Sequence, residues 1–297
     1  MHSRSVRAYA ALLALPALAG VLPSAQADER EVASYEFSTE VKVVSDQRTR
    51  GISDSLMKPS VKFGMQLVHE SGLVAIADIV KVSKKQFLDG EGLNLTLGAG
   101  YRFGDPEGWH FGAGLAAEVF PGAKFEAPHR FDMETFTPDD VRTTNYNTRF
   151  AVLEIGYGAL EGRILDVLSK TYRGANTGGV CGAMLQFAAD PTAALACYAR
   201  GDHDSRGSLL FDLEYKVTIA PATTLAVHAG HQRVRHFAEA DFSDYRIGLS
   251  RKQWGFSWNA DWVTTRTRAR ELYLAQDGDR VRATDNNQFV LSVSRRF

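Results

Sequence analysis

The feature that most constrains the fold is an alternation of apolar and polar residues with a period of two. In residues 93–103 apolar side chains at the odd positions alternate with polar or small ones at the even positions, and residues 35–43, 209–219 and 254–264 repeat the pattern. Successive side chains of a β-strand point to opposite faces of the sheet. Each segment therefore predicts a strand with one apolar face and one face that carries the charges.

The length of these segments distinguishes two architectures that both alternate. Strands of soluble β-sandwiches usually have about 5–6 residues, whereas a tilted strand needs about 9–11 residues to cross a bilayer. The longest segments here, such as residues 93–103 and 209–219, reach the second length. Aromatic residues stand near segment ends, as at Trp109, Phe120 and Trp262, where a membrane barrel has its interfacial girdles.

The connections between the segments alternate between short and long. The short ones are residues 70–72, 104–108, 158–162, 220–222 and 252–253, and the long ones are residues 46–59, 83–91, 121–147, 171–207, 235–243 and 265–286. Short periplasmic turns and long external loops are typical of bacterial outer-membrane barrels. The pattern therefore favours a transmembrane barrel over a soluble sandwich.

The predicted fold is all-β, an antiparallel transmembrane β-barrel of about 12 strands that occupies residues 28–297 and is preceded by a cleaved signal peptide. The predicted strands are residues 33–45, 60–69, 73–82, 92–103, 109–120, 148–157, 162–170, 208–219, 223–234, 244–251, 254–264 and 287–297. An even number of strands leaves both ends of the barrel chain on the periplasmic side.

The first residues predict a secretory signal peptide, residues 1–27. Arg4 and Arg7 precede an apolar run over residues 8–22, and residues 25–27 offer the small-x-small pattern of a cleavage site. The alternative, a membrane-anchoring helix, is disfavoured because the run is shorter than the roughly 20 residues that a span needs. We therefore expect an exported protein.

The composition argues against several other classes. The net charge is −1 at pH 7 and no Lys/Arg block occurs, so nucleic acid is not an expected partner. The sequence after residue 27 has no apolar run long enough for a membrane-spanning helix. No glycine-rich phosphate loop, CxxC pair or catalytic serine motif occurs, so neither a cofactor nor a metal site is expected.

Cys181 and Cys197 both lie in the long connection of residues 171–207. Disulfides persist in exported proteins. A disulfide that closes an external subloop is the favoured interpretation, and two buried thiols are the alternative.

Two segments resemble the TorF porin family of proteobacteria. Residues 44–53, which read Val-Ser-Asp-Gln-Arg-Thr-Arg-Gly-Ile-Ser, are followed by Lys58-Pro59 and a strand into residues 69–72, as in the N-terminal motif of that family. Residues 287–297 are similar to its last strand. The resemblance implies a pore. The amphipathic last strand also ends in Phe297, the kind of terminal residue that the barrel-assembly machinery recognises.

The polar face of the predicted strands would line the lumen. The predicted lumen-lining residues with ionisable side chains are Glu36, Glu40, Lys42, Lys62, Arg102, Glu118, Glu154, Asp166, Asp212, Glu214, Lys216, Arg246, Asp261 and Arg296. Dry burial of so many charges would be costly, so this face predicts water, ion pairs or both. Twelve strands favour an open or loop-gated pore, and a lumen plugged by paired charges is the alternative. Acidic groups outnumber basic ones, which predicts a weak preference for cations.

The segment 73–82 does not alternate clearly. Apart from Asp78 both of its faces are apolar. We expect Val74 and Ile76 to pack beneath a loop that folds into the barrel and narrows any channel.

The even positions of the strand 254–264 continue past its end to Arg266, Arg268 and Arg270. If these positions face outward, the three guanidinium groups lie just above the lipid and could bind phosphates of lipopolysaccharide. A solvated loop is the alternative.

The predicted function is a non-enzymatic channel of the bacterial outer membrane for passive diffusion of small hydrophilic solutes or ions, in contact with membrane lipid and lipopolysaccharide. Two other classes stay open: a structural or adhesive barrel without transport, and a hydrolase at the barrel rim. The candidates for such a hydrolase are His228, His231 and His236 beside Asp241 and Asp244, and residues 202–204.

Overall fold

Each segment of period-two alternation forms one strand of a closed antiparallel barrel. A computed structural model describes residues 34–132 and 134–297. The barrel strands are β1 (Tyr35–Val44), β2 (Ser60–His69), β3 (Leu73–Lys81), β4 (Leu93–Gly104), β5 (Trp109–Val119), β6 (Thr148–Tyr157), β7 (Leu160–Val167), β8 (Leu209–Ala220), β9 (Thr223–Arg233), β10 (Phe242–Gln253), β11 (Phe256–Thr267) and β12 (Gln288–Arg296). Neighbours in sequence pair along the wall, and β1 pairs with β12 to close it.

The prediction of twelve antiparallel strands is confirmed, and the strand ends differ from the predicted ones by a few residues. The largest differences, of two and three residues, occur in β7, which begins at Leu160 and ends at Val167, and in β11, which begins at Phe256 and ends at Thr267. The predicted signal peptide, residues 1–27, lies outside the described residues.

The outer face of the wall is apolar. In β1 the side chains of Phe37, Val41 and Val43 are exposed, whereas those at the even positions between them face the interior. Aromatic pairs stand at both ends of the wall, as where the ring of Trp262 lies 4.6 Å from that of Phe289. A closed barrel satisfies its backbone hydrogen bonds internally. An apolar outer face bordered by aromatic residues is suited to contact with membrane lipid. The barrel therefore spans a membrane.

The long connections all lie at one end of the barrel, here named the loop end, and the short ones lie at the opposite turn end. The loops are L1 (45–59), L2 (82–92), L3 (120–147), L4 (168–208), L5 (234–241) and L6 (268–287). L1 contains the short strands Arg48–Thr49 and Ile52–Ser53, L3 the hairpin Lys124–Asp132 and Thr137–Asn145, L4 the helices α1 (Thr177–Phe187) and α2 (Thr192–Ala199), L5 the 3-10 turn Ala238–Ala240, and L6 the 3-10 turn Arg270–Tyr273 and the hairpin Leu274–Asp277 and Arg280–Ala283. Within the described part of the chain, every helix is too short or too polar to cross a bilayer.

L4 packs against the inner wall at the loop end. Asn176 caps α1, since its side-chain oxygen accepts a hydrogen bond from the Gly179 N–H at 2.8 Å. The apolar residues of α1 and α2 form one buried cluster with inward-facing residues of the wall, among them Phe150, Val167 and Leu210. The two helices therefore cover part of the barrel interior.

A disulfide joins Cys181 of α1 to Cys197 of α2, with 5.5 Å between their Cα atoms. Both cysteines are buried within the L4 cluster. The bond thus fixes the pairing of the two helices.

We expect the double variant Cys181→Ala/Cys197→Ala to loosen L4 and to leave the barrel intact. A crosslink over 16 positions stabilises by about 3 kcal/mol in the chain-entropy model. The measurement is the rate of proteolytic cleavage within L4 of the folded protein in micelles, with heat-dependent gel mobility as the control for the barrel. Equal cleavage rates for variant and wild type would contradict this role.

Candidate functional site

The first loop forms a hairpin held together by one buried carboxylate. Asp46 accepts hydrogen bonds from the hydroxyls of Ser53 at 2.5 Å and Ser55 at 3.0 Å, and from Arg48 Nε at 2.7 Å. Asp46, Arg48 and Ser53 lie within the segment that resembles the TorF motif, and Ser55 follows it. The motif therefore encodes the shape of L1.

The tip of this hairpin lies inside the barrel against β10 and β11. Gly51 has a φ of +78°, and a Cβ atom there would lie 2.3 Å from Thr265 Oγ1 and 2.9 Å from Asp244 Cβ. Only glycine fits, because both the backbone conformation and the space exclude a side chain. L1 thus contacts the inner wall directly.

Arg50, next to the tip, reaches β8 and β9. Its Nη1 donates to Asp212 Oδ1 at 2.7 Å, and its Nη2 donates to the carbonyl oxygens of Phe211 at 2.8 Å and His231 at 3.1 Å. L1 starts at the end of β1, so this side chain connects distant parts of the wall through the interior. L1 is consequently a constriction element of the lumen.

The inner wall from β7 to β11 carries an ordered array of opposite charges. Strand pairing sets Glu214 beside His228 and His228 beside Arg246 in one row, and Arg163 beside Asp212 in the next row towards the loop end. Arg246 pairs with Glu214 and, at 3.1 Å, with Asp261; Arg163 pairs with Glu161 at 3.1 Å. His228 Nε2 lies 3.0 Å from Asp244 Oδ2.

This array encloses a polar recess of about 300 Å³ beneath L1. Its lining combines Arg48 and Arg50 of L1 with the charged residues of β7 to β10. The acids and bases of this lining are paired with one another, so the recess presents local dipoles instead of one net sign of charge.

The opposite inner wall, from β3 to β6, is nearly free of bulky side chains. A cavity of about 110 Å³ there is lined mainly by small and apolar residues of these strands, namely Val74, Ile76, Gly98, Gly100, Gly112, Gly114, Ala116 and Val152. A Cβ on Gly114 would lie 2.5 Å from the Ala99 carbonyl oxygen, so the backbones of β4 and β5 approach too closely here for a side chain. We refer to this surface as the glycine wall.

Val74 and Ile76 therefore do not have the predicted environment. They face the interior, but they line the cavity of the glycine wall instead of lying beneath an inward loop. The inner face is apolar at Val74 and Ile76, and this explains why segment 73–82 did not alternate clearly.

Arg173 of L4 connects three loops to the wall. Its guanidinium forms a bidentate ion pair with Asp54 of L1, with distances of 2.7 and 3.1 Å. It also lies 3.2 Å from the carboxylate of Glu118 in β5. It also lies over the rings of Phe87 in L2 and Phe120 in L3, at 5.5 and 5.1 Å from their centroids. We call these five residues the Arg173 cluster.

The Arg173 cluster is buried. The side chain of Asp54 is 2% exposed. Arg173 is also largely buried, and burial alone would lower its pKa. The carboxylates of Asp54 and Glu118 reverse that effect and raise the pKa of Arg173 above its usual value. The guanidinium is therefore permanently charged and the cluster is held by a charge pair.

Asp277 connects L6 to both L1 and L2. It accepts hydrogen bonds from Lys85 of L2 at 2.6 Å and from Lys58 of L1 at 3.1 Å, and Arg282 lies 2.9 Å away. The bonds from Lys85 and Lys58 lower the pKa of Asp277. L6 is thereby fastened over L1 and L2.

The strand register places all of the predicted lumen-lining residues except Asp166 on the inner face. Asp166 pairs with Ala151 and Leu209, which lie on the outer face. The prediction assumed that polar residues of β7 face inward. Near the loop end this rule fails, because Leu165 and Val167 face inward to pack against L4.

Several charged groups of the interior were missed by the sequence analysis. Arg163 and Glu161 were missed because the prediction assigned the wrong face of β7 to the lumen. Arg48, Arg50 and Arg173 were missed because loop residues carry no strand periodicity. The TorF-like segment was the only signal that could have drawn attention to Arg48 and Arg50.

The histidines proposed for a rim hydrolase lie apart. His228 contacts Asp244 in the lumen, His231 bonds to Ser243 on the outer face, and His236 bonds to the Asp204 carbonyl oxygen in L4. Asp202 is held by His129 and Arg142, at 2.6 and 2.8 Å. Within the described residues no cluster of three or more His, Cys, Asp or Glu could hold a metal ion.

The three arginines proposed for lipopolysaccharide have different environments. Arg266 is an exposed residue of β11, and Arg268 follows the end of that strand. Arg270 belongs to the 3-10 turn of L6, where it donates to Asn286 Oδ1 at 2.9 Å and lies 3.7 Å from Asp285. The strand parity therefore does not extend to Arg270.

Comparison with known proteins identifies one family and several barrels. The sequence profile of a family described as "Bacterial protein of unknown function (Gcw_chp)" matches residues 28–297. No protein with a curated description is significantly similar. The KdgM porin is 8% identical, with 88% of this chain and 99% of that chain covered and a TM-score of 0.44. The COG4313 outer membrane channel from Pseudomonas putida F1 is 14% identical, with 88% and 95% covered and a TM-score of 0.37.

We expect Arg173→Ala to release L1, L2 and L4 together. The change leaves two buried carboxylates without a partner, which costs about 3–5 kcal/mol. The measurement is hydrogen–deuterium exchange of the backbone amides in these loops. Arg130→Ala is the control, because the Arg130–Asp139 pair in L3 is exposed and such pairs contribute at most about 1 kcal/mol. Faster exchange confined to the neighbourhood of residue 173 would argue against the cluster as the common anchor.

We expect the L6 contact through Asp277 to survive mild acid. A carboxylate whose pKa is lowered by folding stabilises above its ordinary pKa of 3.8 and loses that effect only as the pH falls through the lower folded value. Exchange of the 274–283 hairpin, corrected for the intrinsic rate, should therefore be as slow near pH 4 as at pH 7. Asp277→Asn should speed it at both pH values, whereas Asp279→Asn, an exposed change in the same turn, should not. Release of the wild-type hairpin near pH 4 would refute the role of Asp277.

Proposed function

We propose that this chain, which belongs to the Gcw_chp family of bacterial proteins, is a porin-like channel of the bacterial outer membrane for passive diffusion of small hydrophilic solutes or ions. The observation that carries the proposal is the solvent exposure of charged side chains inside the closed wall. The inward-facing side chains of Lys216 and Arg163 are 55% and 41% exposed. Charges with such exposure inside a barrel require water in the interior.

The space for passage lies on the side of the glycine wall. L1 leans towards β8 to β11 through Arg50 and Gly51, and it therefore occupies the charged side of the lumen. On the other side the absence of large side chains leaves the cavity that ends at the Arg102–Glu154 ion pair. A narrow path of this kind favours small solutes.

The loops and β7 add charged groups of both signs to the interior. Arg48 and Arg50 enter from L1, Arg173 enters from L4, and β7 contributes Arg163. Carboxylates enter with them, since Arg48 pairs with Asp46, Arg173 with Asp54 and Arg163 with Glu161. The slight acidic excess of the residues predicted from sequence is therefore not offset, and we expect a weak preference for cations.

The proposal includes partners beyond the solute. The apolar outer face contacts membrane lipid. The barrel-assembly machinery would recognise Phe297 at the end of the last amphipathic strand. The hairpin formed by the TorF-like segment supports a relation of the chain to porins of that family. No nucleic acid is expected.

A barrel without transport is the second candidate. It is favoured by the helices of L4, which cover part of the loop end, and by the fixed position of L1 within the lumen. Conductance measurements on purified protein decide between the two functions.

We expect Arg50→Gln to enlarge the channel and to shift its selectivity towards cations. The change removes the contacts of L1 with Asp212 and with the carbonyl groups of β8 and β9. It also removes the arginine partner of the Asp212 carboxylate in the lumen. The measurement is single-channel conductance in planar bilayers, together with the reversal potential in a KCl gradient.

The matched control is Arg251→Gln, which removes the same charge from an exposed position on the outer face of β10. It should leave conductance and reversal potential unchanged. Absence of channels in both the wild type and the Arg50→Gln variant, with folded barrels verified by heat-dependent gel mobility, would overturn the channel and favour the structural barrel.

A further inference from the structure

The outer faces of β9, β10 and β11 form a ladder from apolar to basic towards the loop end. One row across these strands consists of Val227, Ile247 and Trp262, and the next of Ala229, Tyr245 and Thr264. The third row consists of His231, Ser243 and Arg266. Polarity thus increases along the direction in which a membrane changes from hydrocarbon to headgroups.

The chain adds two arginines above the third row. Arg233 is the exposed last residue of β9, and Arg268 directly follows β11. Asp241 lies between them, since its carbonyl oxygen accepts from the Arg268 N–H at 3.4 Å and its Oδ1 accepts from the Val234 N–H at 2.7 Å. Arg233, Arg266 and Arg268 are therefore neighbours on one outer surface, here named the outer arginine cluster.

The cluster lacks a full counter-charge. Among the described residues none of its three guanidinium groups forms an ion pair or a side-chain hydrogen bond. Asp241 is buried, and burial raises its pKa against the opposing effect of Arg268 and Arg233. Glu239 nearby is paired with Arg200 at 2.6 Å. Three exposed cationic groups thus remain available to an external anion.

We propose that Arg233, Arg266 and Arg268 bind phosphate groups of a lipopolysaccharide molecule in the outer leaflet. Two residues along a strand span about 6.6 Å, so Arg266 lies about that far along β11 beyond the row of Tyr245 and about 13 Å beyond the row of Trp262. For a strand tilted by about 40°, the height of Arg266 above the row of Trp262 is about 10 Å. That height corresponds to the headgroups when the apolar rows lie in hydrocarbon. Two strand spacings, about 9.5 Å, separate Arg233 from the arginines of β11, so the cluster suits a ligand with more than one phosphate.

The choice of arginine supports a phosphate ligand. A guanidinium can donate two parallel hydrogen bonds to one phosphate, and it retains its charge in a partly dehydrated interface. Arg270 is not part of the site, because Asn286 and Asp285 engage it. The site is independent of the proposed channel, since it lies on the outside of the wall.

The test compares the wild type with Arg233→Gln/Arg266→Gln/Arg268→Gln in lipid-exchanged micelles. Binding of lipopolysaccharide is measured by native mass spectrometry and by the shift in thermal midpoint. The triple variant should bind about tenfold or more weakly, as expected from losing at least one charged hydrogen bond. Its conductance should equal that of the wild type, which separates this proposal from the channel.

The matched control is Lys124→Gln/Arg206→Gln/Arg280→Gln, which removes three exposed cationic groups from L3, L4 and L6. It should keep wild-type binding, and chemically dephosphorylated lipopolysaccharide should bind the wild type as weakly as intact lipopolysaccharide binds the cluster variant. Equal binding by the cluster variant and the wild type would overturn the proposal. Equal affinity of the wild type for phosphatidylglycerol and lipopolysaccharide would also overturn it in favour of a general phospholipid site.

Discussion

The arrangement of the loop end depends on the ion pair between Arg173 and the carboxylates of Asp54 and Glu118. A buried charge without a partner is costly, so each of these three groups requires the other two to be in place. The rings of Phe87 and Phe120 cover the guanidinium and bring L2 and L3 into the same contact. The positions of L1, L2, L3 and β5 are thereby coupled to the position of L4, which carries Arg173.

This coupling explains how L1 can stay inside the barrel. The hairpin carries many polar groups, and its stability there depends on satisfying them. Asp46 accepts a hydrogen bond from the Ser53 hydroxyl within the hairpin, and Arg50 donates to carbonyl groups of the wall. Asp54 pairs with the guanidinium of Arg173. L1 is thus anchored at its base, its tip and its far end. Its inward position follows from polar contacts, whereas the helices of L4 are held against the wall mainly by apolar burial.

The barrel could be predicted from sequence because lipid on one side and water on the other impose one periodicity on every strand. The strand order then follows from pairing of sequence neighbours. The prediction failed for Asp166, where packing of L4 makes both faces of β7 partly apolar. It could not identify Arg173 or Asp277, because contacts between loops far apart in sequence leave no local pattern. The arginines of L1 were visible only as part of a family-like motif.

The two walls of the lumen would act on a solute through different physical effects. Along β7 to β11 the paired charges produce strong local fields, and L1 fills the space next to them. Along the glycine wall there are few polar side chains and little side-chain volume, so the available width there is set by the backbone and by Ile76 and Val152. A solute that passes between L1 and the glycine wall would exchange water mainly on its L1 side. The fixed backbone would then limit solute size, and the L1 side would determine discrimination by charge.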